Sequence, residues 1–213
     1  MKIPCTEGMP ASGRRTLLRW AAAGLLGLSA LVPASAAGFD LQALTALLAQ
    51  RTSAEARFTE ERFVSGFDNP LQASGVLSFS APDRFVRQTL EPQAESMAVE
   101  GNTVTLKRGT RSRQMAMDAV PELAALIEAV RGTLTGNAAT LEQHFKATVQ
   151  GNAGRWLLTL VPRDARLATQ VRELQIAGLQ SDVRSVALWL AGGDRSVMSI
   201  DAPYASTQRA TAK

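Results

Sequence analysis

Thiol chemistry is almost missing from this chain. Its one cysteine, Cys5, stands in an N-terminal leader, so a chain without that leader has neither disulfides nor a thiol nucleophile, and packing alone must hold it together. Histidine is as scarce. His144 is the only one, which excludes multi-histidine metal sites and leaves a single partner for a serine relay. Its place at a helix end beside Phe145 reads as a surface or cap histidine. There is no G-x-S-x-G turn, phosphate-binding loop or dinucleotide glycine pattern. Glu60-Glu61 and Glu91 with Glu95 are the candidate paired carboxylates, and both read as solvated strand residues. Catalytic residues: none; metals and cofactors: none. Long apolar runs are lacking too, since none reaches the roughly 20 residues that a membrane-spanning helix needs.

What is present begins with an export signal. Arg14, Arg15 and Arg19 precede an apolar run from Ala21 to Leu31, and Pro33-Ala34-Ser35-Ala36-Ala37 has the small residues of a cleavage site. This predicts a signal peptide over residues 1–36, cleaved near Ala36, and one domain over 37–213. Arg14-Arg15-Thr16-Leu17-Leu18 also fits a twin-arginine signal. Either that route or the general secretory one leads to a bacterial periplasm. Lys2, Arg14, Arg15, Arg19 and Glu7 fall in the leader. Of 23 basic and 19 acidic residues, 19 and 18 then remain. Near-neutral charge argues against a nucleic-acid partner, which asks for a basic stripe with aromatics in it. The single basic cluster, Arg108, Arg111 and Arg113, reads as a solvated strand edge.

Two periodicities organise the rest. Leu41, Leu44, Leu47 and Leu48 recur at helical spacing behind Asp40, a suitable N-cap. Short alternating segments follow at 54–64, 72–80, 85–90, 96–100, 103–107 and 113–118, with Gly101-Asn102 as a tight turn. Pro121 suits a first helical turn, and a stripe of Val120, Leu123, Ile127 and Val130 predicts a helix ending at Arg131-Gly132. A short helix at 138–144 leads into strands at 145–150, 155–161, 170–177, 183–190 and 195–201. Helix, meander, helices, meander is an α+β order. It predicts one strongly curved, unclosed antiparallel sheet with helices on a single face.

Apolar residues make up 46% of the chain but aromatics only 5%. A curved sheet covered by amphipathic helices leaves a concave apolar space. With no catalytic constellation, such a space makes the chain a carrier candidate. Alternation pairs Leu77 with Phe79, Met97 with Val99 and Met115 with Met117 on shared strand faces. With Phe58, Phe85 and Trp156 these are the expected acyl-cavity residues, and Leu123 and Ile127 are the expected cavity contacts of a lid.

One stretch sharpens this reading. Phe58-Thr59-Glu60, then Gly75-Val76-Leu77-Ser78-Phe79-Ser80-Ala81-Pro82-Asp83-Arg84-Phe85, then Glu91-Pro92 and Gly101-Asn102-Thr103-Val104 resemble the first half of the LolA-like periplasmic outer-membrane lipoprotein carriers. The likeness runs from about Leu41 to Asp201, its second half by order of elements alone. It implies an unclosed β-barrel with a helical lid, lipoprotein acyl chains bound inside, delivery from an inner-membrane transporter to an outer-membrane acceptor, and no cofactor. It also implies a monomer. Two departures stand out. The family's arginine before the proline, which holds the lid by hydrogen bonds, is Ala81 here, and its Phe-Thr-Gln glutamine is Glu60. The first departure predicts a weakened lid latch, with Arg57, Arg84 and Arg87 as possible substitutes, each otherwise a solvated arginine. It also points to a divergent member whose cargo is a lipoprotein or another lipidic product. The other reading is a periplasmic adaptor or interaction module of an export system, with a filled core and no cargo.

Overall fold

A computed structural model describes residues 38–117 and 121–203, without the side chains of 121–123, 125 and 126. Helix α1 (Leu41–Leu48) begins where Asp40 Oδ1 accepts the Ala43 backbone N–H at 2.8 Å. That cap satisfies one of the first-turn donors which a helix leaves unpaired.

Six strands follow: β1 (Ser53–Phe63), β2 (Leu71–Ser80), β3 (Arg84–Glu91), β4 (Glu95–Glu100), β5 (Thr103–Arg108) and β6 (Arg111–Ala116). The chain then turns helical in α2 (Pro121–Thr135) and α3 (Ala138–His144). It returns to sheet in β7 (Phe145–Asn152) and β8 (Arg155–Pro162), passes through a short α4 (Ala165–Ala168), and ends in β9 (Val171–Leu179), β10 (Asp182–Leu190) and β11 (Arg195–Ile200).

The strands form one sheet in the order β6-β5-β4-β3-β2-β1-β11-β10-β9-β8-β7. Every pairing is antiparallel. The first meander thus joins the second through β1 and β11, and β6 and β7 remain as unpaired edges. This is the expected unclosed α+β barrel.

Three elements depart from the sequence reading. β6 occupies Arg111–Ala116 and not 113–118, so Met117 follows the strand and does not share it with Met115. α2 runs through Arg131-Gly132 to Thr135. Gly132 is there for space: a Cβ on it would lie 3.1 Å from Leu141 Cγ of α3, so the missing side chain lets the two helices pack closely. The helix stops one residue later, at Gly136, whose φ of +77° suits a glycine. The last departure is α4, too short to show a period. Asp164 Oδ1 caps it by accepting the N–H groups of Arg166 and Leu167.

The helices cover the inner face of the sheet. Leu41, Leu44 and Leu48 of α1, Ala129 of α2, Leu141 of α3 and Leu167 of α4 pack with Phe145, Trp156, Leu158, Leu160, Leu174 and Ile176 of β7–β9. This is the main core. A smaller cluster forms at the other end, where Val99, Val104 and Met117 are buried with Met115, Ala124 and Ile127 against them. The two clusters are separate, and the space between them is the site.

Candidate functional site: an apolar hollow with a buried ion pair

Register builds the site. Opposite residues on neighbouring strands share a face. Across β1 and β2, Ala56 meets Leu77 and Phe58 meets Gly75. Across β2 and β3, Phe79 meets Phe85 and Leu77 meets Arg87. Across β3 and β4, Phe85 meets Val99 and Arg87 meets Met97. On the other side, Phe58 meets Ile200 and Glu60 meets Met198. One inner face therefore runs unbroken from β4 to β11. Between it and α2 lies a hollow of about 440 Å³, roofed by Ile127, Val130, Arg131 and Leu134 and reached on the far side by Ile176, Val186 and Leu188. That volume falls within the ~300–1,000 Å³ of small-molecule sites, and mostly apolar walls with a few polar groups are their usual make-up.

The expected cavity residues divide. Leu77, Phe79, Phe85, Met97, Val99 and Ile127 line the hollow, as does Val130 of the expected lid stripe. Phe58 is on the same face but is buried below the wall, where its ring packs against the Gly75 backbone and lies 4.9 Å from the Arg87 guanidinium. Met115 and Met117 belong to the small cluster under the first half of α2. Trp156 is in the main core. Its indole lies over Gly178, where a Cβ would be 2.3 Å from the ring, and its Nε1 donates to the Gln180 carbonyl at 2.8 Å. The side chain of Leu123, and Val120 altogether, lie outside the described residues.

Sequence reasoning placed Glu60 in solvent, and the structure corrects this: Glu60 is 5% exposed, on the inner face and in the wall of the hollow. The signal was available, since Ala56, Phe58 and Glu60 share one parity on β1. Arg87, also expected in solvent, faces it from β3 and pairs with its carboxylate. Arg62 Nε donates to the same carboxylate at 3.2 Å, and the Ser196 hydroxyl donates to it as well. Burial pushes the Glu60 carboxyl up. The Ser196 hydrogen bond, Arg87 and Arg62 together outweigh that and hold it below its ordinary value. Glu60 is thus a carboxylate, as a buried acid with such partners must be. The Arg87 Nε is buried and has no hydrogen-bond partner among the described residues.

The lid latch differs from expectation. Arg57 is exposed, and Arg84 is an exposed residue at the rim. Neither they nor Arg87 bond to a helix carbonyl among the described residues. The tie comes from the helix instead: Arg131 of α2 donates through Nη2 to the Gly101 carbonyl in the β4–β5 turn at 2.6 Å, and Nη1 pairs with Glu128 at 2.8 Å. At the opposite rim Arg51, just after α1, pairs with Asp182 at the start of β10. No group of three or more metal-ligating side chains occurs among the described residues.

The molecule is therefore an open antiparallel barrel that keeps an apolar hollow between its sheet and a helix. The chain belongs to the family described as outer membrane lipoprotein carrier protein LolA-like, whose match covers residues 33–210. No curated protein matches it. Among solved structures it is similar to a LolA superfamily protein from Nitrosomonas europaea, at 8% identity and a TM-score of 0.41 over 76% of this chain and 90% of that one. A putative outer membrane lipoprotein-sorting protein domain from Vibrio parahaemolyticus gives 6% and 0.45 over 79% and 92%. The MucA/MucB complex of Pseudomonas aeruginosa gives 16% and 0.42 over 79% and 59%.

Proposed function

We propose that this protein is a non-enzymatic periplasmic carrier. It binds the acyl chain of a lipoprotein or another lipidic product in the hollow and passes it toward the outer membrane. The single observation behind this reading is the hollow of about 440 Å³ left between two packed clusters and walled by Leu77, Phe79, Phe85, Met97, Val99 and Ile127. Well-packed interiors hold few voids larger than a water molecule, and this space is many times that size. A dozen buried CH₂ groups at roughly 0.8 kcal/mol each would supply on the order of 10 kcal/mol gross, before ordering costs. Such binding is non-directional, so cargo can be handed to a more apolar acceptor without breaking specific bonds. Delivery by an inner-membrane transporter and release to an outer-membrane acceptor belong to the same reading, as does a leader cleaved near Ala36.

Native mass spectrometry of the protein purified from a bacterial periplasm tests this. The reading expects a co-purified acylated molecule, or stoichiometric uptake of an added dodecyl chain by the delipidated protein. A clean apo mass that takes up no added chain would favour the interaction module instead.

A further inference from the structure

The inner face changes character along its strands. Between β4 and β5, Val99 meets Val104, then Met97 meets Leu106, then Glu95 meets Arg108. Between β5 and β6, Val104 meets Met115, then Leu106 meets Arg113, then Arg108 meets Arg111. The end beneath α2 is apolar and the other end is basic, on one continuous face. At the basic end lies a second hollow, of about 810 Å³, which shares Arg87 and Met97 with the first. Arg108, Arg111 and Arg113 line it from the inner face, with Glu95 as its one acid, and Lys107 borders it from the outer parity of β5.

This arrangement is costly. Arg108 and Arg111 stand directly opposite on an antiparallel pair, where like charges repel. Glu95 accepts from Arg108 at 2.6 Å and offsets one of them. Arg111, Arg113 and Lys107 have no ion-pair partner among the described residues. The Arg87 carboxylate partner, Glu60, is fully engaged, while the Arg87 Nε at the junction is buried and unpaired.

We propose that the two hollows form one site for an anionic amphiphile, with the alkyl chain in the apolar hollow and an acidic headgroup, phosphate or carboxylate, on Arg87, Arg111 and Arg113. This rests on the carrier reading and adds the charge of the ligand. Arginine's planar fork suits such oxyanions; Arg111 and Arg113 are exposed, and the half-buried Arg87 marks the junction with the apolar hollow.

The test compares dodecyl phosphate, dodecanol and inorganic phosphate by calorimetry on the full mature chain. The wild type should bind dodecyl phosphate at least 10-fold more tightly than dodecanol, a preference that shrinks as salt is raised. R111Q/R113Q should bring the ratio to within about 2-fold of unity, while R155Q/R172Q, which removes the same charge from exposed positions elsewhere, should keep it. Equal binding of dodecyl phosphate and dodecanol by the wild type would overturn the proposal. So would inorganic phosphate binding as tightly as dodecyl phosphate, which marks a plain anion site. An R111Q/R113Q protein that self-associates but keeps the preference would assign these arginines to edge protection alone and also overturn it. Binding of neither dodecyl ligand would instead sink the carrier reading on which the proposal stands.

Discussion

At the scale of single residues, Glu60 decides most. A carboxylate in the wall of an apolar hollow must be compensated, and Arg87, Arg62 and Ser196 do so. Because its folded pKa is lowered from the ordinary 4.5, its contribution to stability is fully present above that value and fades as pH falls through the folded value. Glu60→Gln should therefore cost about 3 kcal/mol near neutral pH, by stranding Arg87. The gap between wild type and variant should narrow as pH drops below 4.5. Thermal unfolding of both proteins from pH 7 to pH 3 checks this, and a gap independent of pH would contradict it. Gly178 is a second such residue. Gly178→Ala would push a Cβ into the Trp156 ring and the Asp182 carbonyl. Overpacking of that kind costs about 1–3 kcal/mol, readable as a lower denaturation midpoint at unchanged m-value. Neither residue's role was visible as chemistry in the sequence. Glu60 has the parity of Phe58, but parity alone does not say that the far strand brings an arginine to meet it.

Among the elements, α2 is the one that roofs the hollow, and on the proposed function it is the gate. It reaches over the hollow with Ile127, Val130 and Leu134, and Arg131 ties it to the β4–β5 turn. Ile127→Glu would set a charge against apolar surface. It should weaken binding of an apolar fluorescent probe at least tenfold while the sheet's circular dichroism stays as in the wild type. Arg131→Gln removes a charge-assisted hydrogen bond worth about 1.5–3 kcal/mol. Probe dissociation in stopped flow should then quicken about tenfold or more, and an unchanged rate would exclude α2 as the gate. The helix itself was legible from its 3.6-residue stripe. Its latch was not: the sequence drew attention to Ala81 and to arginines on the strands, whereas the tie runs from the helix to the barrel. A single backbone carbonyl as acceptor leaves no mark in the sequence.

For the whole molecule, alternation carried the reading. Strand segments bounded by Gly, Pro and Asn gave every strand of the sheet, because a half-buried strand must alternate and turns need those residues. The inner parity of Leu77, Phe79, Phe85, Met97 and Val99 followed from the same rule. Alternation cannot separate a lining residue from a packed one. Met115, Met117 and Trp156 have the inner parity or adjoin it, yet helices or the Gly178 gap close over them, and that depends on tertiary packing. On the proposed function, the space left between the two clusters takes an acyl chain. Crystals grown with a terminally brominated dodecyl chain test this through the anomalous signal of bromine. The account predicts one strong peak among Phe79, Met97, Val99 and Ile127. A peak only on the outer face of the sheet, or none in the hollow at saturating ligand, would contradict it.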